Sequence, residues 1–177
     1  MLRGGKVGLR ARHEADLPIL QAELYDDVAM RSRADSRPWR PISPGSPASP
    51  YRIVDPTDDV ACFSVVQLDD NELAGEALLW GIDTHNRVAH IGISLRPGSR
   101  GRGLGTDVVR VLCDYGFAIR GLHRLQIETL ADNAAMVHAA TEVGFSLEGT
   151  LRRTAWVNGS FADEVVFGLL ASEWHGN

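Results

Sequence analysis

The stretch Arg96-Pro97-Gly98-Ser99-Arg100-Gly101-Arg102-Gly103-Leu104-Gly105-Thr106 constrains this chain more than any other. Four glycines fall within eight residues, between a strand-like run that ends at Leu95 and a helical run that starts at Leu104. The first amides of a helix lack partners inside it, and the helix dipole places partial positive charge beside them. Glycines let that backbone approach an anion with no Cβ in the way, so the turn reads as a cradle for phosphate or pyrophosphate. Arg100 and Arg102 supply two cations for charge-assisted bonds. One exposed helix terminus contributes only about 0.3–1 kcal/mol per charge, so several donors must converge. A dinucleotide fingerprint needs Gly-x-Gly-x-x-Gly, whereas Gly101, Gly103 and Gly105 are one residue short of it. A nucleoside-triphosphate loop ends in Gly-Lys-Ser/Thr, a tripeptide this sequence does not contain.

The elements around the turn set the fold class. Glu14 to Met30 is expected to be a helix, with Leu17, Leu20, Leu24 and Val28 on one face and Pro18 in the first turn. Ala61 to Leu68, Leu73 to Trp80 and Arg87 to Leu95 read as three strands, joined by turns at Asp69 to Glu72 and Asp83 to Asn86. Leu104, Val108, Val111, Leu112, Tyr115 and Ile119 recur at helical steps up to about Arg120, where Gly121 stops the helix. Arg124 to Leu130 reads as a strand, and Asn133 to Val143 as a helix closed by Gly144. Leu147 to Val157 and Phe161 to Leu170 form a hairpin around Asn158-Gly159. This order predicts an α+β architecture, a mixed and mostly antiparallel central sheet flanked by helices. At 177 residues, the whole of 1–177 is expected to be one domain. Arg37 to Asp58 holds six of the eight prolines and reads as a long loop. A loop of this kind is either a lid or binding segment or a loose connector, and Trp39 is its candidate substrate contact.

Charge and composition exclude several classes. A net charge of −5 and a pI of about 5.6 leave no basic stripe for nucleic acid, and fit cationic substrates. No apolar run approaches the roughly 18–20 residues of a membrane span. The start, Met1 to Lys6, lacks an apolar signal region, so a cytoplasmic location is expected. Cys62 and Cys113 sit in apolar runs and are expected to be buried free thiols. None of the six histidines pairs at metal-ligand spacing, so no metal is expected.

Arg100-Gly101-Arg102-Gly103-Leu104-Gly105 closely resembles the acetyl-CoA pyrophosphate loop of the GCN5-related N-acetyltransferase superfamily, Arg/Gln-x-x-Gly-x-Gly/Ala. Asn133 and then Glu142-Val143-Gly144-Phe145 resemble that superfamily's downstream Asn and Gly-Phe element. The segment from Leu151-Arg152-Arg153 through Trp156 to Leu170 looks like the carboxyl end of the branch that acetylates ribosomal-protein N-termini and related amines. The resemblance spans nearly all the chain except the proline-rich loop. It implies an acyl-CoA N-acyltransferase fold, with acetyl-CoA as co-substrate and a primary amine as acceptor, from a small molecule or a protein N-terminus. It further implies that two core strands splay and take the pantetheine arm between them, contacted by Ile93, Ser94 and Leu95. The pyrophosphate then falls on the amides from Arg100 and Gly101 through Arg102, Gly103, Leu104 and Gly105 to Thr106, and Asn133 holds the arm. The acceptor pocket is expected between the first helix, the loop at 37–58 and the terminal hairpin. A homodimer through a sheet edge or the hairpin is the implied oligomer.

By the same resemblance, a neutral amine attacks the thioester directly. His90 lies on the strand where relatives commonly carry Glu, and is the candidate base; a structural histidine is the competing reading. The backbone amide of Leu95 is the candidate oxyanion donor. Glu76 and Glu128 are weaker base candidates, each alternatively an ion-pair partner of an arginine. Asp163 and Glu164 either attract a cationic acceptor or form a solvated hairpin. Relatives often carry a Tyr or Ser donor on the helix after the Asn, where this chain has Met136 and Ala140; Thr141 and His138 are not aimed inward by helical spacing. No general acid is assigned. Two alternatives follow: a CoA-binding sensor or scaffold with little catalysis, and a transferase for a longer acyl group.

Overall fold

Alternating apolar and polar residues build eight strands into one sheet, in a computed structural model that describes residues 1–176. The strands are β1 (Leu2–Arg3), β2 (Val7–Arg10), β3 (Val60–Gln67), β4 (Leu73–Asp83), β5 (Val88–Leu95), β6 (Arg124–Leu130), β7 (Ser146–Val157) and β8 (Ser160–Leu170). They lie in the order β1-β2-β3-β4-β5-β6-β8-β7. Every neighbouring pair is antiparallel except β5 and β6. The mixed, mostly antiparallel sheet expected from the sequence is therefore present. Strands β1 and β2 are additions: four residues of Val-Gly-Leu-Arg carry too short a pattern to announce a strand.

The expected single helix over Glu14 to Met30 is instead two. Helix α1 (Asp16–Leu20) runs into a wider π-helical turn (Gln21–Tyr25), closed by the Asp26 amide on the Gln21 carbonyl at 3.0 Å. Asp27 then leaves helical geometry and its carboxylate accepts the Met30 amide at 3.1 Å, so it caps a new helix, α2 (Val28–Ala34). Helix α3 (Leu104–Asp114) also ends in a π-helical turn (Tyr115–Ile119), and Gly121 reverses the chain at φ +64°. Helix α4 (Ala134–Val143) is capped by Asn133 and ends on Gly144 at φ +106°. At the tip of the β7–β8 hairpin, Asn158 and Gly159 both take positive φ, as a two-residue hairpin turn demands.

The helices cover opposite faces of the sheet. Val108, Val111 and Leu112 of α3 and Ala140 and Val143 of α4 pack on Ala77, Leu79, Ala89, Ile91, Leu125 and Ile127, forming the main core. Residues one step along each strand face the other way, toward α1 and α2. There Asp16 meets Ser64 at 2.7 Å and Arg12 meets Glu76 at 2.7 Å. Of the two readings left open for the proline-rich segment, a docked one is found. Tyr51 is fully buried, and Trp39 and Ile42 pack with Leu20, Leu24 and Tyr25. Its polar groups are paired as well: Tyr25 donates to the Arg40 carbonyl at 3.0 Å, and the Trp39 indole donates to the Tyr25 carbonyl at 3.1 Å.

Candidate active site

The sheet opens beside the glycine turn. The β5–β6 ladder has three pairs, Val88–Arg124, Ala89–Leu125 and His90–Gln126, although β5 continues to Leu95 and β6 to Leu130. On its other edge β5 stays bonded to β4, and the Arg96 amide still reaches the Ala74 carbonyl at 2.8 Å. Antiparallel hydrogen bonding alternates along a strand. The bond at Arg96 therefore turns the main-chain groups of Ile93 and Leu95 to the opposite edge, into the opening. Ser94 is turned the other way: its main chain faces β4, and its carbonyl lies against Gly75, where any Cβ would sit 2.1 Å from it. By the same alternation, the Ala131–Asp163 bond aims the main chain of Glu128 and Leu130 across the opening from β6.

At the mouth of this opening the glycine turn leads into α3. Gly101 and Gly103 take φ of +72° and +76°, conformations that cost other residues roughly 1–2 kcal/mol each. Among the described residues, none of the six consecutive amides from Gly101 to Thr106 donates a hydrogen bond to the chain. They are the orphan donors that a helix start leaves. Leu104 and Thr106 anchor the turn by burial, while Gly101, Arg102 and Gly103 are exposed. The Arg100 guanidinium folds back onto the Leu95 carbonyl at 2.9 Å, and Arg102 lies 4.0 Å from Asp69.

The start of the chain also contributes to this turn. Asp107 accepts the amides of Gly5, Lys6 and Val7 at 3.1, 2.7 and 2.9 Å, strapping β2 to the first turn of α3. A Cβ on Gly4 would sit 2.5 Å from that carboxylate, which explains a glycine there. The strap brings the Lys6 ammonium to the Arg102 carbonyl at 3.2 Å, beside Gly103. Nothing local in the sequence signals Lys6, because its partner lies 96 residues away.

Asn133 caps α4, accepting the Met136 amide at 3.4 Å and donating to Thr129 at 2.9 Å. Its side chain is thus fixed at the end of the β6 edge. Phe145 is core, Ala140 is buried and Met136 is half-buried. His138 pairs with Glu142 at 3.0 Å on the surface, and Thr141 donates to the Val137 carbonyl, so neither faces the opening.

His90 lies on the α1–α2 face of β5, just below the point where the strands part. Its ring stacks on Trp80, centroids 4.2 Å apart and tilted 24°. Glu128 is 3.6 Å from its Nδ1. Glu164, on β8, has its carboxyl pushed up, by burial first and by the charge of Glu128 second. Asp163 is occupied in accepting the Arg153 amide at 2.7 Å. Glu76 is a buried ion-pair partner of Arg12, with burial pushing its carboxyl up against the pull of the guanidinium. Burial likewise raises both thiols: Cys113 is in the core, whereas Cys62 is only half-buried, short of the burial expected, because it faces the α1–α2 side near Arg12. The proline-rich loop, α2 and the hairpin tip come together around a cavity of about 370 Å³, lined by Ser32, Asp35, Arg37, Trp39, Trp156 and Asn158. Among the described residues no cluster of three or more His, Cys, Asp or Glu is placed to hold a metal, and no helix is long and apolar enough to cross a membrane.

Residues 6–146 match the acetyltransferase (GNAT) domain family. The chain is 31% identical over 96 residues to spermidine N(1)-acetyltransferase of Escherichia coli K12, covering 54% of this chain and 52% of that protein. It is 34% identical over 109 residues to the putative ribosomal N-acetyltransferase YdaF of Bacillus subtilis 168, covering 62% and 60%. The matched segments span about half to just under two thirds of the curated relatives' length. The fold matches a spermidine N-acetyltransferase from Vibrio cholerae, crystallised with CoA and spermine, at a TM-score of 0.77. That match covers 94% of this chain and 96% of the other at 23% identity, and speaks for the fold.

Proposed function

The chain belongs to the acetyltransferase (GNAT) domain family, and on that premise we propose that it transfers an acetyl group from acetyl-CoA to the nitrogen of a primary amine. The observation that carries this reading is the row of six free amides at the start of α3, adjoining the opened edge between β5 and β6. An anionic head fits the amides with Lys6 beside them, and an amide-bearing arm fits the main chain of Ile93 and the Leu95 amide, which face the opening while the Leu95 carbonyl is held by Arg100. Asn133, at the far lip, is assigned to the arm, and Arg100 and Arg102 to the charged head.

Bound acetyl-CoA supplies the activated acetyl carbon. His90 takes the proton from the acceptor ammonium, freeing the lone pair that attacks this carbon. As the new C–N bond forms and the C–S bond breaks, the Leu95 amide holds the negative charge that develops on the carbonyl oxygen. The turn and the opened edge hold the thioester in place, so that proximity supplies much of the rate. The nitrogen sheds its second proton to water as the amide forms, and water delivers a proton to the leaving thiolate, since Met136 and Ala140 offer none.

For the acceptor, Glu128 and Glu164 on the His90 face favour a cationic small amine over a protein N-terminus, and the cavity between Trp39 and Trp156 is its proposed vestibule. We assign the reaction to the cytoplasm, where thiols such as Cys62 and Cys113 stay reduced. A homodimer is proposed through the edge strand β7, whose Leu147, Leu151 and Trp156 are exposed.

Following thiol release with acetyl-CoA and an amine panel tests the reading. The panel includes spermidine, spermine and peptides with free N-termini. Amine-stimulated release, fastest with the polyamines, is the expected result. Tight CoA binding by calorimetry with no stimulation by any amine favours the sensor instead, a reading that the missing donor at Met136 and Ala140 supports. Faster release from propionyl- or succinyl-CoA assigns a longer acyl group.

A further inference from the structure

We propose that Glu128 is a positioning residue for His90: it orients the imidazole with Nδ1–H toward its own carboxylate and leaves Nε2 to take the proton from the acceptor. The inference rests on the reading of His90 as the base. Trp80 fixes the plane of the ring by stacking. Within that plane the two nitrogens differ. Nδ1 is closed off from solvent and has no hydrogen-bond partner, while Nε2 is not so enclosed. A buried nitrogen without a partner is costly. The charged group nearest to it is Glu128 Oε1, 3.6 Å away, and a few tenths of an ångström of ring rotation converts that approach into a hydrogen bond.

Glu128 is itself held. Gln126 donates to its Oε1 at 2.5 Å, and Arg124 donates to Gln126 at 3.0 Å while pairing with Glu148 on β7. These side chains share the sheet face of His90. Along this face β6 carries Glu128 and Arg124, β8 carries Glu164 and β7 carries Glu148; β4 contributes the neutral Trp80 beside the ring and, four residues away along the strand, Glu76, which is paired with Arg12. Arg124 is spent on Glu148, so the field at His90 is negative. That field offsets the positive charge the ring gains when it takes the acceptor's proton. An Nδ1–H bond to a carboxylate also selects the tautomer with its lone pair on Nε2.

The test is Glu128→Gln, which keeps the shape and removes the charge at a position exposed enough to leave the fold intact. We expect kcat to fall roughly three- to tenfold. The loss is expected in kcat, with the KM values for acetyl-CoA and the amine within twofold of wild type, and Glu128→Asp is expected to restore part of it. CoA affinity stays within twofold of wild type. A second readout does not depend on turnover. The quenching of Trp80 fluorescence by the stacked ring, identified by its loss in Trp80→Phe and its relief in His90→Ala, is expected to change at fixed pH in Glu128→Gln, as the ring is freed to turn. If His90→Ala lowers kcat but Glu128→Gln overlays the wild type in kcat and in Trp80 quenching, the role of Glu128 is overturned and the base stands. If His90→Ala retains wild-type kcat, both fall.

Discussion

Gly103 is where the proposed cradle is most easily broken, and two substitutions there separate backbone from charge. The residue holds φ +76° and ψ 8°, and a Cβ would sit 3.1 Å from the Lys6 ammonium and meet nothing else within 4 Å. Gly103→Ala therefore costs about 1–2 kcal/mol of left-handed strain and a small displacement of a flexible lysine tip. Gly103→Glu costs the same strain and adds a carboxylate among the six free amides. Two unit charges about 5 Å apart repel by roughly 1 kcal/mol in water and 3 kcal/mol at an effective dielectric of 20. The carboxylate also draws Lys6 away from any anion on the turn. CoA affinity should fall about tenfold or less in Gly103→Ala and on the order of a hundredfold or more in Gly103→Glu. Titration calorimetry with CoA at low and moderate salt measures both. Equal affinities in the two variants, or wild-type affinity in Gly103→Glu, would refute an anion on these amides.

Other predictions probe what surrounds the cradle. Lys6→Met should raise the KM for acetyl-CoA about two- to fivefold with kcat unchanged, an effect that salt diminishes; a change in kcat alone contradicts the role of Lys6. Tyr51→Ala should cost about 3–5 kcal/mol of unfolding free energy in urea, as for a large buried aromatic, since Tyr51 pins the proline-rich loop; a loss below about 1 kcal/mol means that the loop is not docked through it. Asp16 is buried, which pushes its carboxyl up, but the Arg10 guanidinium, the His13 amide and the Ser64 hydroxyl together hold it well below the usual carboxylate range. A depressed acid stabilises the fold above its unfolded value near 3.9 and ceases to do so as pH falls toward its folded value. Asp16→Asn should thus lower stability at pH 7 and flatten its decline below about pH 4, as read by denaturant midpoints across pH; an unchanged acid slope contradicts this.

Much of the molecule is legible from short stretches of sequence. The strand Arg124–Leu130, the capped helix from Asn133 to Gly144 and the Asn158-Gly159 turn are local decisions, written in periodicity, caps and left-handed glycines within about ten residues of each other. The glycine turn belongs to this class as well, because free amides at a helix start follow from helix geometry alone. The first helical segment is the exception, because the Asp27 cap that splits it is a single side chain acting against an unbroken apolar stripe.

The rest depends on contacts between distant segments. Asp107 gathers Gly5, Lys6 and Val7 from about 100 residues away and so brings a cation to the turn. The proline-rich segment is docked by Tyr51, Trp39 and Ile42, which join Leu20, Leu24 and Tyr25 of the first helical segment in a second small core that no local pattern announces. The parting of β5 and β6 after His90 decides which amides are free, and neither strand carries a local mark of it. Sequence fixes each element through interactions among near neighbours, whose loop-closure cost is small. Which edges meet, and which stay open, is settled only when segments far apart in the chain compete for the same surface, and that competition is resolved in three dimensions.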